Sequence, residues 1–228
     1  MLLDLIFPKR CYHCGKTGSY LCRDCFEEIP LLKKQKCPRC GKPSPGGRIH
    51  PIRNTRYAKL YGLVRLYSYK SVVGRMVRHY KYEQVRKLKS RLVDLTAGAI
   101  RRHPKHKSYW LKKEFTFIPI PLFPLKKLVR GFDQADEIIS QVSEKLQIGY
   151  SSEILIRQKW TSQQAGKSKD KRQKNVKNAF AVESESVVKD KNFIIFDDVT
   201  STGSTLKSAA SALKSAGAGE LWGLTICG

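Results

Sequence analysis

The sequence predicts an α/β fold: a domain built on a central parallel sheet, preceded by a small cysteine-rich unit. Three observations predict it. Six of the seven cysteines crowd into residues 11–40 as three Cys-x-x-Cys pairs. A short apolar run, Phe193-Ile-Ile-Phe196, has no polar alternation and suits a strand buried on both faces of a parallel sheet. That run leads through two acids and a small-residue loop into an Ala-rich helix, the order in which open α/β sheets build ligand sites. The 228 residues fit one domain with an appendage, at about 100–200 residues per domain. With 41% hydrophobic and 10% aromatic residues there is enough to bury a core, which excludes wholesale disorder.

Taking the elements in order, Met1-Leu-Leu-Asp-Leu-Ile-Phe-Pro8 lacks a basic start, and Asp4 and Pro8 interrupt it, so it does not read as a signal peptide. Mean hydropathy is −0.42, and no run approaches the ~18 apolar residues of a membrane span, so no integral membrane segment is expected and the protein is expected in the cytoplasm. There, tight Cys-x-x-Cys pairs read as metal ligands rather than disulfides. Cys11, Cys14, Cys22 and Cys25 form the nearest set of four thiolates, which suits a structural zinc ion. Gly15 and Gly41, each following a pair, allow the sharp turn that aims both sulfurs one way. Arg23 to Ile29 reads as a short helix stopped by Pro30, which puts the second pair at a helix N-terminus. Cys37 and Cys40 are a candidate second metal pair. No Cys partner follows them, and His50, the only nearby candidate, leaves a second site one ligand short. A redox dithiol, or three pairs sharing one ion differently, is the competing account of the pairs. Cys227, after Trp222-Gly-Leu-Thr-Ile226, reads as a buried core thiol. The boundaries expected are a zinc-binding unit over 1–45, a Pro/Gly/basic linker over 46–56, and the sheet domain over 57–228.

Residues 115–121, Phe-Thr-Phe-Ile-Pro-Ile-Pro, read as a strand ending in Pro119-x-Pro121. A basic stretch ending in Arg130-Gly-Phe-Asp-Gln134 follows, then a helix with Ala135, Ile138, Ile139, Val142 and Leu146 on one face. Arg157-x-Lys159 opens a second basic stretch that runs through Gln164 and Arg172 to Asn175.

The most informative segment is Asp197-Asp-Val-Thr-Ser-Thr-Gly-Ser-Thr205, between the apolar run and a helix with Leu206, Ala210 and Leu213 at helical spacing. A helix N-terminus offers unpaired amides and the positive end of a dipole, which suits a phosphate. Gly203 lets backbone approach closely, and Thr202, Ser204 and Thr205 offer hydroxyl donors. Asp197 and Asp198 repel phosphate but suit the vicinal hydroxyls of a ribose, or an ion held by water. One ligand fits all these groups: a sugar with adjacent hydroxyls and a terminal phosphate. An ordinary helix N-cap is the plainer alternative.

Composition narrows the partners. Forty-four Lys and Arg against nineteen Asp and Glu give a net charge of +25, which argues for a polyanion. Residues 65–91 carry nine Lys/Arg and one acid, interleaved with Tyr67, Tyr69, Tyr80 and Tyr82. Basic stretches with aromatics suit single-stranded nucleic acid, where charges follow the backbone and bases stack. Core packing of the tyrosines, with the charges facing water, is the alternative reading.

The acidic loop motif resembles the phosphoribosyl-pyrophosphate (PRPP) motif of type I phosphoribosyltransferases. That resemblance implies ribose hydroxyls at Asp197 and Asp198 and the 5-phosphate at Thr200, Ser201, Thr202, Gly203, Ser204 and Thr205. Ser201 stands where some purine enzymes carry an acid for the base, which argues against purine transfer by that route. Pro119, Pro121, Arg130, Arg157, Lys159 and Arg172 become pyrophosphate or lid candidates. The combination of Cys-rich start, Pro-x-Pro, Arg-Gly-Phe-x-Gln, the Gln164…Arg172…Asn175 segment and the acidic loop resembles the ComF family over nearly the whole chain. Asp133 replaces the usual Asn, and the fourth Cys pair of many members is missing. The family joins a zinc finger to a phosphoribosyltransferase-like domain and is required for natural transformation. It implies a type I phosphoribosyltransferase-like sheet and a protein that binds a phosphoribosyl ligand and single-stranded DNA at the cytoplasmic side of DNA uptake. The inner face of the membrane is then a candidate location and a DNA-uptake helicase a candidate partner. The alternative it leaves open is an active phosphoribosyltransferase, using Mg²⁺ with PRPP and transferring ribose 5-phosphate to an unidentified acceptor.

Overall fold

In the computed structural model, which describes residues 8–51, 59–82, 85–158 and 179–228, the apolar run at 193 is the middle of a parallel sheet. The strands are β1 (Gly62–Tyr67), β2 (Thr116–Pro119), β3 (Gly149–Tyr150), β4 (Leu155–Arg157), β5 (Phe180–Val182), β6 (Phe193–Val199) and β7 (Leu221–Cys227). Among the described residues, the main sheet has the order β1-β7-β6-β2-β3, with every pairing parallel. β4 and β5 form a separate antiparallel pair.

The helices are α1 (Arg23–Glu28), α2 (Val72–Tyr82), α3 (Lys89–Arg101), α4 (Pro104–Lys112), α5 (Pro124–Arg130), α6 (Gln134–Leu146), α7 (Glu185–Val188) and α8 (Ser204–Ser215). They cover both faces of the sheet, which is why β6 has no polar alternation. Ile194 and Phe196 point into one core with Met76 of α2, Leu92 of α3 and Ile138 of α6. Phe193 and Ile195 point into the other with Leu206, Ala210 and Leu213 of α8. Gly223 of β7 lets α8 sit close: a Cβ there would meet Leu63 Cδ1 at 2.8 Å and Leu206 Cδ1 at 3.2 Å. Cys227 is buried in the sheet core, as its apolar neighbours predict.

The cysteine-rich unit is built against this domain. Cys11, Leu21, Cys25 and Ile29 share the core of α2 and α3. Arg75 of α2 donates to the Tyr12 carbonyl (2.7 Å), and Arg102 donates to the Ile29 carbonyl (3.2 Å). The unit also covers the open edge of β1. Leu32 N donates to Leu66 O (2.8 Å), and the Gln35 amide accepts from Arg65 N (3.1 Å) and donates to Arg65 O (2.7 Å). Further along, Arg48 bridges to Gly62, and Ile49 N donates to Tyr61 O at 2.8 Å.

The linker expected at 46–56 is therefore folded over 46–51. Gly47 sits at φ 71°, so close to β1 that a Cβ would lie 2.2 Å from the Leu63 carbonyl oxygen. Its Pro/Gly content reflects that close approach and the turn beside it rather than a loose tether.

Candidate phosphate and metal sites

β6 continues past its apolar half through Asp197, Asp198 and Val199. Asp197 pairs in register with Thr225 and Val199 with Cys227 of β7. The acids are thus the carboxyl end of a central strand, the place where open parallel sheets bind ligands. The chain then turns through Thr200 to Gly203 into α8. Gly203 takes φ 73°, the left-handed region, immediately before the helix. Buried Thr200 fixes the turn: its hydroxyl accepts from Gly203 N at 2.9 Å, and its own amide donates to Cys227 O at 3.0 Å. Thr202 and Ser204 hydroxyls lie 3.0 Å apart. Ser204 N donates to Thr202 Oγ1 at 3.3 Å.

So the sequence placed the turn correctly but overstated its free donors. Two of its amides serve the turn's own hydroxyls. Thr205, in the first turn of α8, keeps an amide with no earlier helical carbonyl to reach. Thr202 and Ser204 also line a cavity of about 670 Å³, together with Lys207 and Ser211 of α8 and with Phe180 and Glu185. Asp197 and Asp198 lie outside that cavity.

The structure brings a further residue to the acids. Lys81, at the C-terminal end of α2, places its ammonium 2.9 Å from each carboxylate oxygen of Asp198, and both side chains are nearly buried. Burial opposes the Lys81 charge, but the carboxylates of Asp198 and then Asp197 outweigh it and push its pKa up. Among the described residues, no cation lies so close to Asp197. Burial and then the Asp198 charge push it up to about 8, against the pull of Lys81. The two adjacent acids therefore have different roles: one is locked in an ion pair, the other is partly exposed at the strand end and holds a proton readily.

The Pro119-x-Pro121 loop lies beside them. Pro119 pairs with Phe196 across the sheet, and Ile120 N donates to Phe196 O at 2.8 Å. Asp133 ties this loop to α6. It caps the helix by accepting from Ala135 N (3.1 Å) and Asp136 N (3.4 Å), and it accepts from Leu122 N at 2.8 Å. All three partners are donors and they use both oxygens, Oδ1 for the two cap amides and Oδ2 for Leu122 N, so the carboxylate satisfies a set that the single carbonyl oxygen of Asn would only half meet. Arg157, at the end of β4, donates to the Pro121 carbonyl at 3.3 Å, and its charge acts on Asp197 and Asp133. Two of the six pyrophosphate or lid candidates, Pro121 and Arg157, thus meet at the acidic strand end. Lys159 and Arg172, and the Gln164–Asn175 segment, lie outside the described residues, as does the side chain of Arg130.

Of the four interleaved tyrosines, Tyr67 and Tyr80 are core residues: Tyr67 donates to Leu95 O (3.0 Å) and Tyr80 to Glu137 (2.9 Å). Tyr69 and Tyr82 are exposed, with Arg78 over the Tyr69 ring at 5.1 Å. The stacking reading keeps two of its four residues.

The cysteine sites can be read the same way. The sulfurs of Cys11, Cys14, Cys22 and Cys25 all lie within 4.8 Å of one another. Cys22 caps α1 and Cys25 sits inside it. Cys22 N donates to Cys11 Sγ at 3.5 Å, the type of bond that stabilises a thiolate. Backbone donors lower Cys11 to about 6, outweighing its desolvation. Four clustered sulfurs with amide support fit a structural zinc ion. Cys37 and Cys40 are joined by His50, again within 4.8 Å. The sequence named that histidine but left it outside the set.

Residues 2–52 match the family model of a double zinc ribbon domain, and residues 124–224 that of a phosphoribosyl transferase domain. The chain is 28% identical to "Competence protein F" of Haemophilus influenzae, over 96% of this chain and 97% of the relative. It is 27% identical to "DNA utilization protein YhgH" of Escherichia coli K12, over 98% of each. It is 21% identical to "Competence protein ComFC" of Streptococcus pneumoniae, over 93% and 96%. Among solved structures, a glutamine PRPP amidotransferase from B. subtilis, complexed with ADP and GMP, overlays on 49% of this chain at 19% identity and a TM-score of 0.33; this chain spans 22% of that one. No helix among the described residues is long and apolar enough to cross a membrane.

Proposed function

This chain belongs to the ComF family, joining a double zinc ribbon to a phosphoribosyltransferase-type domain, and from that premise we propose that it holds a phosphoribosyl ligand of the PRPP type and binds single-stranded DNA during DNA uptake. The observation that carries the reading is the end of β6. A strand-end carboxylate, Asp197, stands beside a Gly203 turn that opens α8. Asp197 accepts from ribose hydroxyls. The amide and hydroxyl of Thr205, with the hydroxyls of Thr202 and Ser204, receive the terminal phosphate. Asp198 and Lys81 form the buried counter-charge that holds the strand end in place. Zinc fits the ribbon cysteines and would cross-link the turns of the ribbon to one another. Mg²⁺ bound with the ligand would offset its diphosphate charge.

Calorimetry with PRPP, with and without Mg²⁺, tests the reading on wild type, Asp197→Ala and Thr205→Ala. Wild type should bind, and each variant should bind at least about tenfold more weakly, a loss of ~1.4 kcal/mol. No binding by wild type, or equal binding by all three, overturns it. The second reading, an active transferase, is favoured by the Arg157 charge at Asp197 and Pro121, which suits a departing pyrophosphate. In that reaction the sugar–pyrophosphate bond breaks, pyrophosphate leaves with its bonding electrons, and the sugar carbon bonds to an unidentified base or small-molecule acceptor, whose displaced proton passes to solvent. Pyrophosphate release with Mg²⁺ and a panel of bases reads it out. Release that survives Asp197→Ala would exclude this site as its source.

A further inference from the structure

The two ribbon sites begin alike and end differently. In the first, Gly15 N donates to Cys11 O at 2.9 Å and Cys11 N to Lys16 O at 2.8 Å. In the second, Gly41 N donates to Cys37 O at 3.0 Å and Cys37 N to Lys42 O at 2.9 Å. Both glycines are left-handed, at φ 79° and 74°. The same knuckle therefore turns Cys37 and Cys40 as it turns Cys11 and Cys14. Cys22 and Cys25 face the first knuckle, but a single imidazole faces the second.

That imidazole is arranged as a ligand. His50 Nε2 lies 3.0 Å from the Pro43 carbonyl, which only accepts, so Nε2 carries the proton. Nδ1 then presents a lone pair, 3.2 Å from Cys40 Sγ. Metal-bound imidazoles are held in this way, with the outer nitrogen donating to a backbone carbonyl. The His50 amide also donates to Cys37 Sγ at 3.5 Å. Among the described residues no fourth Cys, His or carboxylate joins these three. Sequence composition agrees. Four of the seven cysteines belong to the first site, two to this one, and Cys227 is in the sheet core. Where Cys-x-x-Cys spacing would place a partner for His50, the sequence has Arg53.

We propose that the second ribbon holds zinc on Cys37, Cys40 and His50 with an exchangeable, solvent-derived fourth ligand, while four thiolates close the first site. Zinc favours four ligands in a tetrahedron, and three protein ligands leave one position for an outside group. Two thiolates and a neutral imidazole cancel the ion's charge. Cys40 is exposed, which gives that ligand a route in and out.

The test uses the full chain. Purified protein should contain two zinc equivalents, and a chromophoric chelator should remove one at least tenfold faster than the other. His50→Ala should lose the fast equivalent and keep the slow one. Arg53→Cys, which supplies a fourth thiolate at the Cys-x-x-Cys spacing, should convert fast release into slow. With Co²⁺ in both sites, azide should shift the visible bands of wild type and leave those of Arg53→Cys unmoved. One equivalent in wild type, or two released at one rate with an azide-insensitive Co²⁺ spectrum, overturns the proposal. If His50→Ala fails to fold, Arg53→Cys still decides, because it adds a ligand.

Discussion

Lys81 meets Asp198 across 117 positions of sequence, and no spacing rule connects them. The sequence shows Lys81 only as one cation in a basic stretch. The contact arises because α2 ends over the strand ends, which is a property of the fold. Its energetic weight follows from burial. Side-chain exposures of 12% and 6% mean that removing the cation leaves an uncompensated carboxylate in the interior, which costs ~3–5 kcal/mol. Lys81→Met should lower the urea-unfolding free energy by about that amount. Arg23→Ala, which breaks the exposed pair with Glu27, should change it by no more than ~0.5 kcal/mol. Asp197 gives a pH signature. Its folded pKa of about 8 stands above the ordinary 3.8, so the proton favours the folded state. That contribution is fully present below 3.8 and is lost as the pH rises through about 8. Asp197→Asn should therefore match wild type in melting temperature near pH 3.5. It should gain a lead that widens between pH 4 and 8; a constant difference would contradict the raised value. The acids themselves were legible because two carboxylates after an apolar run is an uncommon pattern. Which one is held in an ion pair was not, because that depends on Lys81.

At the scale of elements, β6 and α8 were legible because both carry one uninterrupted signal. Phe193 to Phe196 are apolar throughout, and Leu206, Ala210 and Leu213 keep helical spacing. α6 was legible for the same reason. α2 was not singled out: Val72, Val73, Met76, Val77 and Tyr80 are buried on one face, but Arg75, Arg78, His79 and Lys81 dilute the pattern. The strand-to-helix turn depends on one left-handed residue. Gly203→Ala places a side chain at φ 73°, where an L-residue costs ~1–2 kcal/mol. Its Cβ would lie 3.4 Å from Leu63 Cδ2, so the strain is mainly in the backbone. Chemical denaturation should show a loss of this size, and PRPP affinity should fall further than stability alone explains, since the same residue orients the first turn of α8. Equal affinity in Gly203→Ala would separate this turn from the ligand.

Across the whole molecule, the net charge of +25 makes a prediction that no single residue carries. Binding to a labelled oligo-dT should weaken steeply with salt, with a log–log slope near −3.5 for about five phosphate contacts. A slope near zero would remove the nucleic-acid part of the proposed function. Tyr82→Ala should weaken binding by roughly 1–3 kcal/mol if its exposed ring stacks on a base, whereas Tyr80→Ala should act on stability alone. Domain order was legible from the cysteine spacing, but the union of the two units was not. Gln35, Leu32 and Ile49 carry no pattern that marks them as partners of β1; only the folded path of the backbone brings them there. Because the ribbon occupies the margin of β1, stripping its metal has a consequence beyond the ribbon itself. It frees a row of backbone donors and acceptors that can recruit the same strand from another molecule. Metal-starved protein should therefore self-associate into sheet-rich oligomers before its central fold melts, and light scattering during slow chelation would record that order of events.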